Sequence, residues 1–116
     1  MQTAIIAFDS KQLSLILSKM MNNFGFETIT VENTEQLRLA ILKQEPALLL
    51  ADWTLDGQSM LSFLSRLEKK PKTILISKES RPEKIVKALD VNIDEYIIKP
   101  FDNDILQSKL SMIGLL

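Results

Sequence analysis

Five short apolar segments alternate with five segments of helical periodicity along the 116-residue chain, and this alternation narrows the folds that it can adopt. The apolar segments are predicted strands, and they cover residues 3–8, 26–31, 47–51, 73–76 and 96–98. Strict alternation of such strands with helices predicts a parallel sheet covered on both faces. We therefore expect one doubly wound α/β domain over residues 1–116.

The helical segments are recognised by apolar stripes at a spacing of three and four residues. The five stripes are Leu13, Ile16, Leu17, Met20 and Phe24; Leu37, Ala40 and Ile41; Met60, Leu61, Leu64 and Leu67; Ile85, Val86 and Leu89; and Ile105, Leu106, Leu110 and Ile113. Asn33 and Asp102 are predicted N-caps, and Ser80 with Glu83 fits a capping box. Gly25 is predicted to end the first helix.

The composition removes several classes of function. The chain has no cysteine and no histidine, which excludes disulfides, thiolate catalysis, Ser-His-Asp hydrolases and zinc sites with Cys or His ligands. Its formal net charge is −1, so no positive field favours direct nucleic-acid binding. The apolar runs are too short to span a bilayer and no signal peptide is visible, so we expect a cytoplasmic protein without membrane contact.

Polar residues stand where four of the predicted strands end. Asp9 and Asp52 follow the first and third strands, and Ser77 and Lys99 follow the fourth and fifth. Because ligands of doubly wound sheets bind outside the carboxyl ends of the strands, these side chains are expected to converge. Two carboxylates favour Mg²⁺, and a carboxylate can attack phosphorus while a lysine and a hydroxyl hold the phosphoryl oxygens. Taken alone, Asp9 is read more simply as a helix cap beside Ser10.

The segments around these residues resemble the receiver domains of two-component response regulators, of the chemotaxis-regulator type, over essentially the whole chain. The resemblance rests on the segments IIAFDS, LLLADWTLDG, ILISKES and DEYIIKPF, in that order. It implies a flavodoxin-like three-layer sandwich whose five-stranded parallel sheet has the order 2-1-3-4-5, in agreement with right-handed crossovers.

The resemblance also implies a role for each residue of the group. The implied ligands of Mg²⁺ are Asp9, Asp52 and the backbone carbonyl of Thr54. Asp52 would be the phosphoacceptor, while Ser77 and Lys99 would contact the phosphoryl group. Tyr96 would be the switch aromatic, and the bond between Lys99 and Pro100 would be cis.

The partners implied are a sensor histidine kinase or phosphotransfer protein and an output domain or effector. The output partner would dock on the face built from helix four, strand five and helix five. The domain would be a phosphoacceptor that takes part in its own phosphotransfer and dephosphorylation, not an enzyme acting on other substrates. A homodimer is left open, as is the choice between a stand-alone regulator and a domain of a longer protein.

Two positions of the site depart from the family pattern. Phe8 stands where the family usually has an acid before Asp9, and this should weaken Mg²⁺ binding more than abolish it. Lys78 follows Ser77, where a small residue is usual. A long cation there could obstruct the pocket, or it could lie beside Asp52 and partly replace the charge of the metal.

Two rival functions remain beside the phosphorylation switch. A pseudo-receiver would use the same surfaces for protein contacts without accepting phosphate. A small doubly wound enzyme or flavin carrier is disfavoured, because the chain has only three glycines and no glycine-rich phosphate loop.

Overall fold

The computed structural model describes all 116 residues and contains five β–α units in the predicted order. Strands β1 to β5 cover Thr3–Ala7, Glu27–Val31, Leu48–Ala51, Lys72–Ser77 and Glu95–Ile98. Helices α1 to α5 cover Lys11–Asn23, Thr34–Gln44, Met60–Ser65, Pro82–Val91 and Asn103–Met112. Between β3 and α3, Thr54–Leu55 pairs antiparallel with Gln58–Ser59 in a short hairpin that the sequence reading did not predict.

The five main strands form one parallel sheet in the order β2-β1-β3-β4-β5, which confirms the predicted topology. At its centre β1 lies beside β3, with Ala7 opposite Ala51. Because these strands run in the same direction and in this register, the residues that follow Ala7 and Ala51 leave the sheet at the same edge.

Two apolar cores fill the layers on either side of the sheet. Under α1 and α5 the buried helix residues are Leu17, Met21, Leu106 and Leu110. Under α2, α3 and α4 they are Leu37, Ile41, Met60, Leu64 and Ala88. Consecutive strand residues alternate between the two cores, as Ile5 and Ile6 do, because side chains of a strand point to opposite faces. The molecule is therefore the expected three-layer sandwich. No helix combines the length and the apolar character that a membrane span requires.

Two of the predicted helix N-caps are found in the structure, and a third predicted helix start is not. The side chains of Asn33 and Asp102 each accept a backbone N–H three residues on, at 2.8 and 2.9 Å, which confirms both predicted N-caps. The capping box at Ser80 and Glu83 is wrong, because the N-cap of α4 is Arg81, which makes no side-chain capping bond.

The physical reason lies in Glu79, which precedes the expected cap. Its carboxylate accepts the backbone N–H of Arg81 at 3.1 Å and also the guanidinium of Arg81, with the closest contact at 2.6 Å. This pairing places Arg81 at the helix start. Pro82 then occupies the first turn, where its missing N–H needs no partner.

Four residues that the stripes assigned to buried faces are exposed. They are Ile16, Val86, Leu89 and Ile105, with exposed fractions of 54%, 54%, 37% and 41%. In α5 the buried pair Leu106 and Leu110 lies on one side of the helix, and Ile105 is turned by about 100° from it. Ile16 is displaced in the same way on α1. Helix α4 buries only Ala88 fully and packs Ile85 partly against the core, so Val86 and Leu89 are left facing solvent.

Candidate functional site

A small cavity opens at the carboxyl ends of β1, β3 and β5. Its volume is about 190 Å³, and it is lined by Phe8, Asp9, Ser10, Leu13, Asp52, Thr54 and Lys99. The structure thus brings both acids, the lysine and Thr54 together around one space. Ser77, Lys78 and Tyr96 lie outside this lining.

Asp52 stands directly after β3 and is bound on both carboxylate oxygens. Its Oδ1 atom accepts the backbone N–H of Trp53 at 2.7 Å. Its Oδ2 atom lies 3.7 Å from the Nζ atom of Lys99, which follows β5. The side chains of Asp52 and Lys99 remain 32% and 23% exposed, so the carboxylate can be reached from solvent.

Phe8 forms an apolar wall of the cavity beside this ion pair. It is 4% exposed, and its ring centre lies 5.9 Å from the Nζ atom of Lys99. A cation at this distance from an aromatic face is attracted by the ring quadrupole. Phe8 therefore contributes an apolar, cation-attracting surface at the position where the resemblance leads us to expect a carboxylate.

Asp9 is held by the hairpin that follows β3. Its Oδ1 atom accepts the backbone N–H of Asp56 at 2.8 Å. Asp56 and Gly57 both have positive φ angles, of 49° and 77°, as a tight two-residue hairpin turn requires. The Asp-Gly pair is the signal that could have revealed this hairpin from the sequence. The simpler reading of Asp9 as a helix cap is wrong, because Ser10 is the N-cap of α1.

Ser77 and Lys78 lie at the end of β4, beside the cavity rather than in it. Ser77 is buried, and its Oγ atom accepts the backbone N–H of Glu79 at 3.2 Å. Lys78 is exposed and takes part in no ion pair, so the cation that faces Asp52 is Lys99.

Trp53 and Tyr96 connect the loop after β3 to β5. The Nε1–H of Trp53 donates to the Tyr96 oxygen at 2.8 Å, and the Tyr96 hydroxyl donates to the carbonyl of Glu79 at 2.9 Å. Tyr96 is 5% exposed. No local pattern in the sequence reveals this bond, because the two residues are 43 positions apart.

Two pKa values near this connection depart from their ordinary range. Burial raises the pKa of the Tyr96 phenol, while the hydrogen bond from Trp53 acts in the opposite direction. The side-chain and backbone hydrogen bonds from Arg81 lower the pKa of the Glu79 carboxyl to about 2. Glu79 therefore stays ionised at all physiological pH values, and Tyr96 stays neutral.

The oxygen donors of the cavity fit Mg²⁺ in chemical type. Asp9 and Asp52 supply carboxylates, the ligands that this hard cation prefers, and Thr54 lies on the same lining with a backbone carbonyl. One oxygen of each carboxylate already accepts a backbone N–H. No third acid joins them, since the structure has no group of three or more acidic side chains suited to a metal. The residues could therefore hold Mg²⁺ with only two carboxylates as charged ligands.

Comparison with known proteins identifies the family to which this fold belongs. The family model of the response regulator receiver domain matches residues 4–111. The phosphate regulon transcriptional regulatory protein PhoB of Pseudomonas aeruginosa is 27% identical over 97% of the chain, and its namesake of Rhizobium meliloti is 27% identical over 88%. These matches cover 51% and 47% of the two relatives, so the chain spans about half of their length.

Solved structures show the same fold. A two-component response regulator from Clostridium difficile superposes with a TM-score of 0.88, at 18% identity, over 97% of this chain and 95% of that one. The chemotaxis response regulator CheY4 of Vibrio cholerae superposes with a TM-score of 0.86, at 19% identity, over 97% and 98%. With the family match over nearly the whole chain, the protein belongs to the response regulator receiver domain family of two-component signal transduction.

Proposed function

We propose that this receiver is a phosphorylation-controlled switch that accepts a phosphoryl group on Asp52 from a sensor histidine kinase or phosphotransfer protein. The observation that supports it best is the ion pair at 3.7 Å between Asp52 and Lys99, in a cavity that also contains Asp9. A carboxylate nucleophile, a neighbouring cation and a second acid are the groups that phosphoryl transfer to an aspartate needs.

In this proposal a carboxylate oxygen of Asp52 attacks the phosphorus of a phosphohistidine. The new O–P bond forms as the P–N bond breaks, and the electron pair of the broken bond returns to the imidazole of the donor, which takes up a proton. The product is an acyl phosphate, and attack of water on its phosphorus later restores the carboxylate. Lys99 stabilises the charge that develops on the phosphoryl oxygens.

Mg²⁺ held by Asp9, Asp52 and the Thr54 carbonyl would neutralise charge on the phosphoryl oxygens during the transfer. Asp9 is kept in place for this by the amide of Asp56, which leaves its Oδ2 atom for the metal. Ser77 would contribute its hydroxyl from the end of β4, where it is now 7% exposed.

The test is reaction of the protein with acetyl phosphate and Mg²⁺, followed by intact mass spectrometry. We expect a mass increase of one phosphoryl group that is absent from Asp52→Asn. Asp56→Asn serves as the matched control, because it alters a nearby exposed acid that touches the site only through its backbone. An unmodified wild-type mass with donor and excess Mg²⁺ would contradict the proposal.

The pseudo-receiver is the second candidate, and Phe8 is the observation that favours it. A buried aromatic ring occupies the position where the family usually has its first acid. In this alternative Asp52 stays paired with Lys99 and never receives a phosphoryl group. The wild-type mass separates the two candidates, because a pseudo-receiver gains no phosphoryl group. Failure of the double variant Phe8→Asp, Lys78→Ala to gain one as well would show that the block does not lie in these two side chains.

We further propose that an effector or output domain docks on the face formed by α4, β5 and α5. This face carries exposed apolar side chains at Val86, Leu89, Ile98, Ile105 and Met112. Once an effector is identified, its affinity should fall in Val86→Asp and be unchanged in Leu15→Asp. Leu15 is a matched control because it is 58% exposed but lies on α1.

A further inference from the structure

The chain has a single tryptophan and a single tyrosine, and the two side chains are hydrogen-bonded to each other. The donor is Nε1–H of Trp53 and the acceptor is the phenol oxygen of Tyr96, at 2.8 Å. Their ring centres lie 6.0 Å apart with an angle of 53° between the planes. The bond joins the loop after β3 to the strand β5.

This bond completes the polar contacts of a buried phenol. Tyr96 is 5% exposed, and its hydroxyl also donates to the carbonyl of Glu79 at 2.9 Å. A phenol has one donor and a limited number of acceptor positions. With one bond in each direction, the oxygen is satisfied in the buried position. Burial raises the pKa of this phenol, and the hydroxyl of Ser77 acts on it in the opposite direction, as Trp53 does.

Both backbone polar groups of Trp53 are hydrogen-bonded. Its N–H donates to Oδ1 of Asp52 at 2.7 Å, and its carbonyl accepts the N–H of Met60 at 2.8 Å. The backbone of Trp53 is thus fixed between the proposed phosphoacceptor and the first residue of α3. A rearrangement at Asp52 would act directly on the residue that holds Tyr96.

We propose that Trp53 is a positioning residue that holds Tyr96 in its buried position before any phosphoryl group is present. It gives the switch aromatic a link to Asp52 that is separate from Ser77. That Tyr96 acts as a switch rests on the proposed function. The positioning of Tyr96 by Trp53 does not rest on the proposed function, because the bond between them exists in the unphosphorylated protein.

A consequence concerns the resting state of the docking face. With Tyr96 already buried, the surface of β5 is in one arrangement before phosphorylation. Phosphorylation would therefore produce a smaller movement of the Tyr96 side chain. Without the indole donor, Tyr96 should be held less firmly in this position and should lose its link to Asp52.

The first arm of the test follows the indole N–H by NMR in ¹⁵N-labelled protein without a phosphodonor. The chain gives a single indole signal, so no assignment is needed. Hydrogen exchange of this N–H is expected to be roughly three- to tenfold faster in Tyr96→Phe, the factor that corresponds to one lost hydrogen bond. Equal exchange in the wild type and Tyr96→Phe would overturn the proposal.

The second arm measures nitration of the single tyrosine by tetranitromethane. Trp53→Phe keeps an aromatic ring but has no N–H donor, and nitration of Tyr96 should become roughly three- to tenfold faster. Phe63→Leu is the matched control, because Phe63 packs on the same core without bonding to Tyr96. An unchanged rate of nitration in Trp53→Phe, or an equal acceleration in Phe63→Leu, would refute the proposal that Trp53 holds Tyr96 in place.

If Trp53→Phe does not fold, the indole exchange in Tyr96→Phe decides alone. Neither arm uses a phosphodonor, so a protein that never accepts phosphate gives the same answer.

Discussion

The Nζ atom of Lys99 lies 3.7 Å from the Oδ2 atom of Asp52, and no other cation pairs with this carboxylate. Both side chains are partly exposed, so the pair contributes only about 0–1 kcal/mol to the free energy of unfolding. Its importance is local. The lysine already occupies the side of Asp52 where a transferred phosphoryl group would bring additional negative charge.

Replacement of Lys99 by methionine should separate the stability of the protein from its phosphoryl uptake. We expect the melting temperature to change little and the rate of uptake from acetyl phosphate to fall roughly tenfold or more, since a charge-assisted hydrogen bond contributes about 1.5–3 kcal/mol. The rate is measured by intact mass against time. Lys78→Ala is the control, because Lys78 is exposed and lies outside the cavity lining, and a loss as large as in Lys99→Met would contradict the assignment.

Replacement of Phe8 by aspartate should tighten Mg²⁺ binding. An additional unit charge about 4 Å from the cation contributes roughly 4 kcal/mol at a near-surface effective dielectric, before the cost of its own desolvation, so an increase of several-fold or more is expected. Fluorescence of Trp53 during a Mg²⁺ titration reports the affinity. Phe8→Leu keeps the site apolar and should leave the affinity near that of the wild type. Equal affinities in all three proteins would show that the ion binds elsewhere.

Glu79 makes the stability of the protein depend on acid pH. Its folded-state pKa of about 2 lies below the ordinary value of 4.5. The stabilisation is therefore fully present above about pH 4.5 and is lost as the pH falls through about 2. The difference in melting temperature between the wild type and Glu79→Gln should shrink over this interval. Glu83→Gln, which changes an acid without an ion pair, should show no comparable trend, and a constant difference for Glu79→Gln would be inconsistent with the hydrogen bonds from Arg81.

Truncation of a central core residue should destabilise the whole fold. Leu50 lies in β3, is fully buried and packs in the core under α1 and α5. Leu50→Ala is expected to lower the free energy of unfolding by about 2–5 kcal/mol, as core leucine truncations do. Leu42→Ala on α2, where the side chain is 64% exposed, should change it by less than about 0.5 kcal/mol. Urea unfolding midpoints with unchanged slopes provide the comparison.

The positions of the strands along the chain and the residues at their ends could be predicted because both depend on short-range patterns. An apolar run that stops at Asp9 or Asp52 identifies the end of a buried strand, and parallel pairing then brings such ends to one edge. The strand order needed the family resemblance as well, because periodicity alone is compatible with other orders.

The errors came from competition between neighbouring groups. Ser80 has the chemistry of a cap, but the carboxylate of Glu79 takes the N–H of Arg81 and moves the helix start by one residue. On α4 and α5 the cause is different. The apolar stripes of the sequence include Val86 and Ile105, but the buried face of each helix is narrower than its stripe and leaves these two residues exposed. The bond between Trp53 and Tyr96 depends on how two loops pack, which no pattern within either segment contains.

The hairpin after β3 has a consequence for which substitutions the protein can tolerate. Asp9 is held by a backbone amide of residue 56, not by the Asp56 side chain. Asparagine or glycine at position 56 would keep both the donor and the left-handed backbone. Proline would remove the donor and could not adopt the φ angle of 49° found there. The restriction on this position therefore comes from backbone geometry, and the charge of Asp56 can be removed while the placement of Asp9 is retained.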